Sequence, residues 1–190
     1  MANLCDSYTT GYDADDAIYV TAREQFGQSF TGNGETLDNV IFRLYKAGSP
    51  TGSCYAKVLA HTGTFGDSSE PTGAVLATSD AYDVSTIGGG GEITFTFSGA
   101  NRITLTNATK YCVLFEYTGG DASNAPNIGY DGSAPTHGGN AFAYRYGSYT
   151  LYSGRDTYFK VYTVASASTI PGNRPLGMKK GLQRKVVTTG

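Results

Sequence analysis

The stretch Ile93-Thr94-Phe95-Thr96-Phe97 alternates apolar and hydroxyl-bearing side chains without a break, and each of its residues is β-branched or aromatic. Successive side chains of a strand point to opposite faces, so a period of two yields one face for a core and one for water. The same period recurs along the chain. Val40, Phe42 and Leu44 alternate with Arg43, Ala56 and Val58 flank Lys57, Val113 and Phe115 oppose Glu116, and Phe159 and Val161 flank Lys160. Clusters of Gly, Pro, Asn and Asp separate these runs, and helical spacing is nowhere sustained.

Weaker strand candidates lie at Ile18 to Ala22, Gly27 to Thr31, Leu76 to Thr78 and Phe142 to Tyr146, and Ile103-Thr104-Leu105 continues the pattern of 93–97. The turn Gly48-Ser49-Pro50-Thr51-Gly52 predicts a hairpin joining 40–46 to 54–60. About eight to ten short strands predict an all-β fold: an antiparallel, jelly-roll-like β-sandwich. The 26 Gly, 15 Tyr and 9 Phe suit many turns and aromatic-rich strands. Long loops are expected at 61–74, 83–92 and 118–140, where such scaffolds carry function.

The formal charge of −2 conceals an asymmetry. Residues 1–164 hold nine Lys/Arg against all sixteen Asp/Glu, a net of −7, while residues 165–190 hold five bases and no acid, a net of +5. The second segment is small, polar and broken by Pro171 and Pro175 before its bases Arg174, Lys179, Lys180, Arg184 and Lys185. It cannot build a core and reads as a basic, extended C-terminal assembly arm. The expected organisation is therefore an N-terminal segment 1–16, a sandwich domain 17–164 and an arm 165–190. An acidic body repels a duplex and no aromatics interleave the arm's bases, so an acidic protein surface is the expected partner and nucleic acid is not.

The opening residues lack the positive and apolar regions of a secretory signal, and no stretch has the length and apolarity of a membrane span. Neither secretion nor membrane insertion is expected. Cys5, Cys54 and Cys112 are an odd number without close spacing, which reads as free thiols, with a Cys54–Cys112 bridge left open.

No catalytic residue can be named. His61 and His137 lie outside any nucleophile motif and read as solvated structural residues, Glu116 faces outward without a partner carboxylate, and Gly88-Gly89-Gly90-Gly91 leads into a strand instead of a phosphate-cradling helix. The chain reads as a non-enzyme needing no cofactor and no metal. Asp13, Asp15 and Asp16, and the Asp/Asn residues of the 118–140 loop, lack EF-hand spacing and are what turns use for backbone bonding. That loop nevertheless carries the residue types of a glycan-binding surface. Asp121, Asn124, Asn127 and Asp131 can bond hydroxyls, while Tyr130 and Tyr146 can cover apolar sugar faces; packing of these tyrosines between sheets is the competing reading.

Gln28-Ser29-Phe30-Thr31-Gly32, the 48–52 turn followed by Tyr55-Ala56-Lys57, Ala60-His61-Thr62-Gly63-Thr64-Phe65-Gly66, Pro71-Thr72-Gly73 with Leu76-Ala77-Thr78-Ser79-Asp80, and Phe95-Thr96-Phe97-Ser98-Gly99-Ala100 occur in order. Together they resemble a sandwich domain found in phage and virus-like structural proteins and in bacterial surface proteins, over about residues 17–164. The resemblance implies a sandwich that decorates a larger assembly and carries over no functional residue. The expectation is a virion protein, made in the host cytoplasm: a capsid decoration, minor capsid or tail-associated subunit of a bacteriophage or similar virus. Its partners would be copies of itself and other virion proteins. A glycan-binding module meeting a host surface is the alternative.

Overall fold

The computed structural model describes residues 1–165, so the expected arm, with Arg174, Lys179, Lys180, Arg184 and Lys185, lies outside the described residues. The strands run β1 (Asn3–Tyr8), β2 (Ala14–Ala17), β3 (Gln25–Thr31), β4 (Thr36–Ala47), β5 (Ser53–Thr62), β6 (Glu70–Thr78), β7 (Tyr82–Asp83), β8 (Gly91–Thr96), β9 (Lys110–Glu116), β10 (Ala125–Asp131), β11 (Ala141–Arg145), β12 (Ser148–Tyr152), β13 (Asp156–Thr157) and β14 (Phe159–Val164). All pairings are antiparallel. One sheet has the order β1-β14-β4-β10-β13 with β2 on β10 and β8 on β4; the other has β12-β11-β3-β9-β5-β6 with β7 on β5. The fold is an all-β sandwich, as the alternation required.

The period of two settles which side chains meet between the sheets. Phe42 and Phe95 of one sheet meet Phe115 of the other in a triangle of edge-to-face rings, with centroids 5.9–6.4 Å apart. Val40, Leu44, Ala56, Val58, Val113, Phe159 and Val161 surround it, all buried. Edge-to-face packing aims the positive ring edge at a negative face, and deleting one such buried Phe costs about 3–5 kcal/mol. Arg43, Lys57, Glu116 and Lys160 point away from this core. Glu116 accepts from the Gln25 amide at 2.7 Å and from Lys57, while Glu92 accepts from Lys160 at 2.7 Å.

The second sheet also buries part of its outer face, where Leu59, Cys112, Leu114 and Phe142 form a smaller apolar cluster. Gly27 makes this possible. A Cβ there would stand 2.1 Å from the Val113 carbonyl oxygen and 2.8 Å from the Leu114 Cβ, so only glycine lets β3 and β9 approach this closely. Cys54 faces the inner core and Cys112 this outer cluster, on opposite faces of one sheet, and the thiols are free.

Several expectations change. Residues 48–52 do not close a hairpin, because β4 and β5 lie in different sheets; Gly48, at φ +63°, packs against the turn at Ser123–Asn124 while the chain crosses over. The first 16 residues are no separate segment, since β1 pairs with β14 and β2 with β10. The strand near Ile18 lies earlier, at Ala14–Ala17, and Thr104 makes only an isolated bridge to Thr36. Loop 61–74 holds the end of β5 and the start of β6, and loop 83–92 a short 3-10 turn at Val84–Thr86. The loop at 118–140 is the largest change, because β10 runs through its middle and is buried at every residue.

Candidate functional site

Burial of β10 decides where the sequence-selected glycan residues stand. Asp121 caps a turn, accepting from the Ser123 and Asn124 N–H groups at 2.7 and 3.0 Å, and these bonds hold its carboxyl below its usual value. Asn124 bonds back to Asp121 and accepts from the Ser49 N–H. Asn127 is buried and donates to the Ala125 carbonyl, and Tyr130 is buried against Phe26 with centroids 5.6 Å apart. Asp131 is buried too. It accepts from the Tyr8 hydroxyl at 2.5 Å and from the Ser133 and Ala134 N–H groups, and its carboxyl is held low by the Ala134 bond first and Tyr8 next. From Ala125 to Asp131 the strand spans about 20 Å, so Asp121 and Asp131 do not share a site. Of the six residues, only Tyr146 presents a large apolar surface to water, at 79% exposure.

Tyr146 and Gly147 are the two central residues of the β11–β12 hairpin, where Arg145 pairs with Ser148, and both have positive φ, +51° and +86°. A two-residue loop with both angles positive is the turn whose twist matches that of the strands, and it normally takes Asn-Gly. A tyrosine there is held in the left-handed region while its ring faces solvent. Beside it lies a pocket of about 110 Å³ lined by Thr21, Ala22, Glu24, Tyr144, Tyr146 and Gly147. Thr21, a β-branched residue, also has positive φ, +71°. Two strained non-glycine residues thus flank one pocket, and such strain gathers at binding and switch sites.

The histidines do not behave as solvated residues. His137 is half-buried: its Nδ1 accepts from the Gly139 N–H at 3.0 Å and the Gln28 amide at 3.1 Å, so Nε2 carries the hydrogen toward Asp6 Oδ1, 3.1 Å away. Both ring nitrogens are committed. Gln28, fully buried, also donates to Asp156 Oδ1 at 2.8 Å and accepts from the Thr157 N–H at 2.9 Å. Asp156 accepts from the His137 N–H as well, yet burial outweighs these donors and raises its carboxyl above the usual value. His61 Nε2 stands 3.0 Å from Ser69 Oγ, a spacing at which a base could activate a nucleophile. Ser69 has no solvent exposure, so a substrate carbonyl has no route to it. Sequence spacing gave no sign of this pair, since the residues lie on β5 and in the turn before β6.

Among the described residues no group of three His, Cys, Asp or Glu is placed to hold a metal ion. Asp15 instead accepts from the Tyr45 hydroxyl at 2.7 Å, Asp13 from the Gly132 N–H at 2.9 Å, and Asp16 pairs with Arg23.

The two ends of the second sheet differ. At the Thr31 end of β3, Asn33 donates to Thr163 Oγ1 at 2.8 Å and Asn3 to Glu35 at 2.9 Å, so β1 begins and β14 ends at that end of the sandwich. At the other end Gln25 pairs with Tyr144, next to the Tyr146 turn. Comparisons with protein families, curated proteins and solved structures found no match.

Proposed function

We propose that this chain is a structural subunit of a bacteriophage or similar viral particle, tied to neighbouring copies by its basic arm and presenting the Tyr146 tip away from them. The observation that carries the reading is the polarity of the sandwich. β14 ends at one end of β3 and the exposed Tyr146 turn stands at the other, about 20 Å along the strand. That is the arrangement a tethered, outward-facing module needs. The charge split supports it, because a +5 segment is complementary to a −7 body on a neighbouring copy. Particle assembly by exchanged arms is a common use of such segments. Removing residues 166–190 leaves β14 and the core of the described residues in place, so the truncated chain should fold as before but lose self-association on size-exclusion chromatography. Unchanged association would end the assembly reading.

A second reading, recognition of a host-surface glycan, is favoured by the exposed Tyr146 ring beside the pocket. Glycan-array binding that disappears in Tyr146→Ala, with the thermal melt preserved, supports it; binding that persists places the contact elsewhere.

A further inference from the structure

The polar network between β3 and β13 brings a carboxamide and a hydroxyl together out of reach of water. Gln28, on the second sheet, and Thr157, on the first, have no solvent exposure, and Asp156 is 1% exposed. The Thr157 N–H donates to Gln28 Oε1 at 2.9 Å, which puts the Gln28 Cδ at most about 4 Å from the Thr157 nitrogen. The Thr157 hydroxyl donates at 2.8 Å to the carbonyl of Gly27, the residue before Gln28. On its other side the Gln28 Nε2 faces His137 Nδ1 at 3.1 Å and Asp156 Oδ1 at 2.8 Å.

These contacts match the parts of an acyl transfer. A backbone N–H on Oε1 stabilises the negative charge which that oxygen takes up when its carbon is attacked. Asp6 holds the hydrogen of His137 on Nε2, so the Nδ1 lone pair faces the carboxamide, a base oriented by a carboxylate. Burial raises the Asp156 carboxyl and so favours its acid form beside the nitrogen that would leave. The burial that denies Ser69 a substrate is no obstacle here, because the electrophile belongs to the chain itself. Holding both groups in one site replaces a bimolecular encounter, and a dry site protects an ester from hydrolysis.

We infer that the folded chain closes an ester bond between Thr157 and Gln28, tying the two sheets together covalently. The Thr157 hydroxyl turns from the Gly27 carbonyl toward Gln28, its oxygen bonds to Cδ, and the Cδ–Nε2 bond breaks. The hydroxyl proton passes through His137 to the departing nitrogen, which leaves as ammonia; nothing is oxidised or reduced and no further reactant is needed. The hydrogen-bonded arrangement described above is the form that precedes closure.

Mass spectrometry of the intact full chain, after incubation of the folded protein at neutral pH, reads the outcome. The chain should weigh about 17 Da less than its sequence, the mass of one ammonia. Digestion should yield one linked pair of peptides carrying residues 28 and 157, which hydroxylamine separates. A cyclised Asn33, which precedes Gly34, also loses ammonia but links no peptides. Thr157→Ser should keep the linked pair. Thr157→Val, which retains the N–H on Gln28, should stay in the hydrogen-bonded form, show its full sequence mass and let the contacts of Gln28 be weighed alone. His137→Gln should close at least about tenfold more slowly, and an unchanged rate overturns the role given to the imidazole. Full sequence mass in the folded, unaltered chain, a deficit without the linked pair, or a deficit that persists in Thr157→Val overturns the inference.

Discussion

Replacing Gln28 with Leu tests whether the buried polar network holds the two sheets together. The side chains are close in volume, so the change removes hydrogen bonds without opening a large cavity. Three contacts go: the Thr157 N–H loses its acceptor at 2.9 Å, Asp156 Oδ1 its amide donor at 2.8 Å, and His137 Nδ1 one of two donors. A buried N–H left unpaired costs about 1–3 kcal/mol, and a hydrogen bond to a charged group is worth about 1.5–3 kcal/mol. The extra apolar burial of Leu returns about 1 kcal/mol. The net expectation is a loss of about 1.5–5 kcal/mol, which for a domain of this size lowers the melting temperature by about 3–20 °C. Urea unfolding followed by near-ultraviolet dichroism of the tyrosines measures it. The pH dependence is a sharper check. Burial raises the Asp156 carboxyl in the folded chain, so its ionisation costs stability as pH rises through the folded value and costs nothing below the unfolded one. Loss of the Gln28 donor raises it further, so the deficit of the variant should shrink as pH falls from 7 toward about 4. A loss under about 1 kcal/mol, or one that does not change with pH, refutes the reasoning.

Three other outcomes follow from the same geometry. Gly27→Ala should destabilise the chain by about 3 kcal/mol in urea unfolding, because its Cβ would press on the Val113 carbonyl and part β3 from β9. Tyr146→Asn should raise stability by about 0.5–1 kcal/mol while removing the exposed ring, since Asn tolerates the left-handed angle the turn imposes. In native protein Cys54, pushed up to about 12 by burial, and Cys112, raised for the same reason, should stay silent to a thiol reagent at pH 8 until denaturant is added. A bridged Cys54–Cys112 peptide after mild oxidation of folded protein would contradict their placement on opposite faces.

The core strands were legible because each had one buried face: Val40–Phe42–Leu44, Val113–Phe115 and Phe159–Val161 lie where their period put them. β10 was not legible, because Ala125-Pro126-Asn127-Ile128-Gly129-Tyr130-Asp131 is covered on both faces, which erases alternation, and its Pro, Asn and Gly read as turn residues. The same fault misplaced the candidate glycan site, since Asp131 and Asn127 satisfy backbone and side-chain partners that a loop would have left free. The Gln28–Asp156 contact spans 128 positions, and Arg23 and Arg155, which both approach Asp16, come from the turns before β3 and β13. No spacing rule connects residues brought together only by the closing of two sheets. Tyr146 is legible in the sequence only by its chemistry; the left-handed turn that lifts it into water shows in the structure alone.

The register of β1 on β14, with Asn3 opposite Thr163 and Tyr8 opposite Phe159, has a mechanical consequence. Asn3 and Thr163 stand side by side at one end of the pair, so pulling these strand ends apart would open it like a zipper, one hydrogen bond at a time and at low force. Tension applied between Val164 and the Tyr146 turn acts differently. It runs lengthwise through the sheets, loading many interstrand bonds at once, and the sandwich resists in shear.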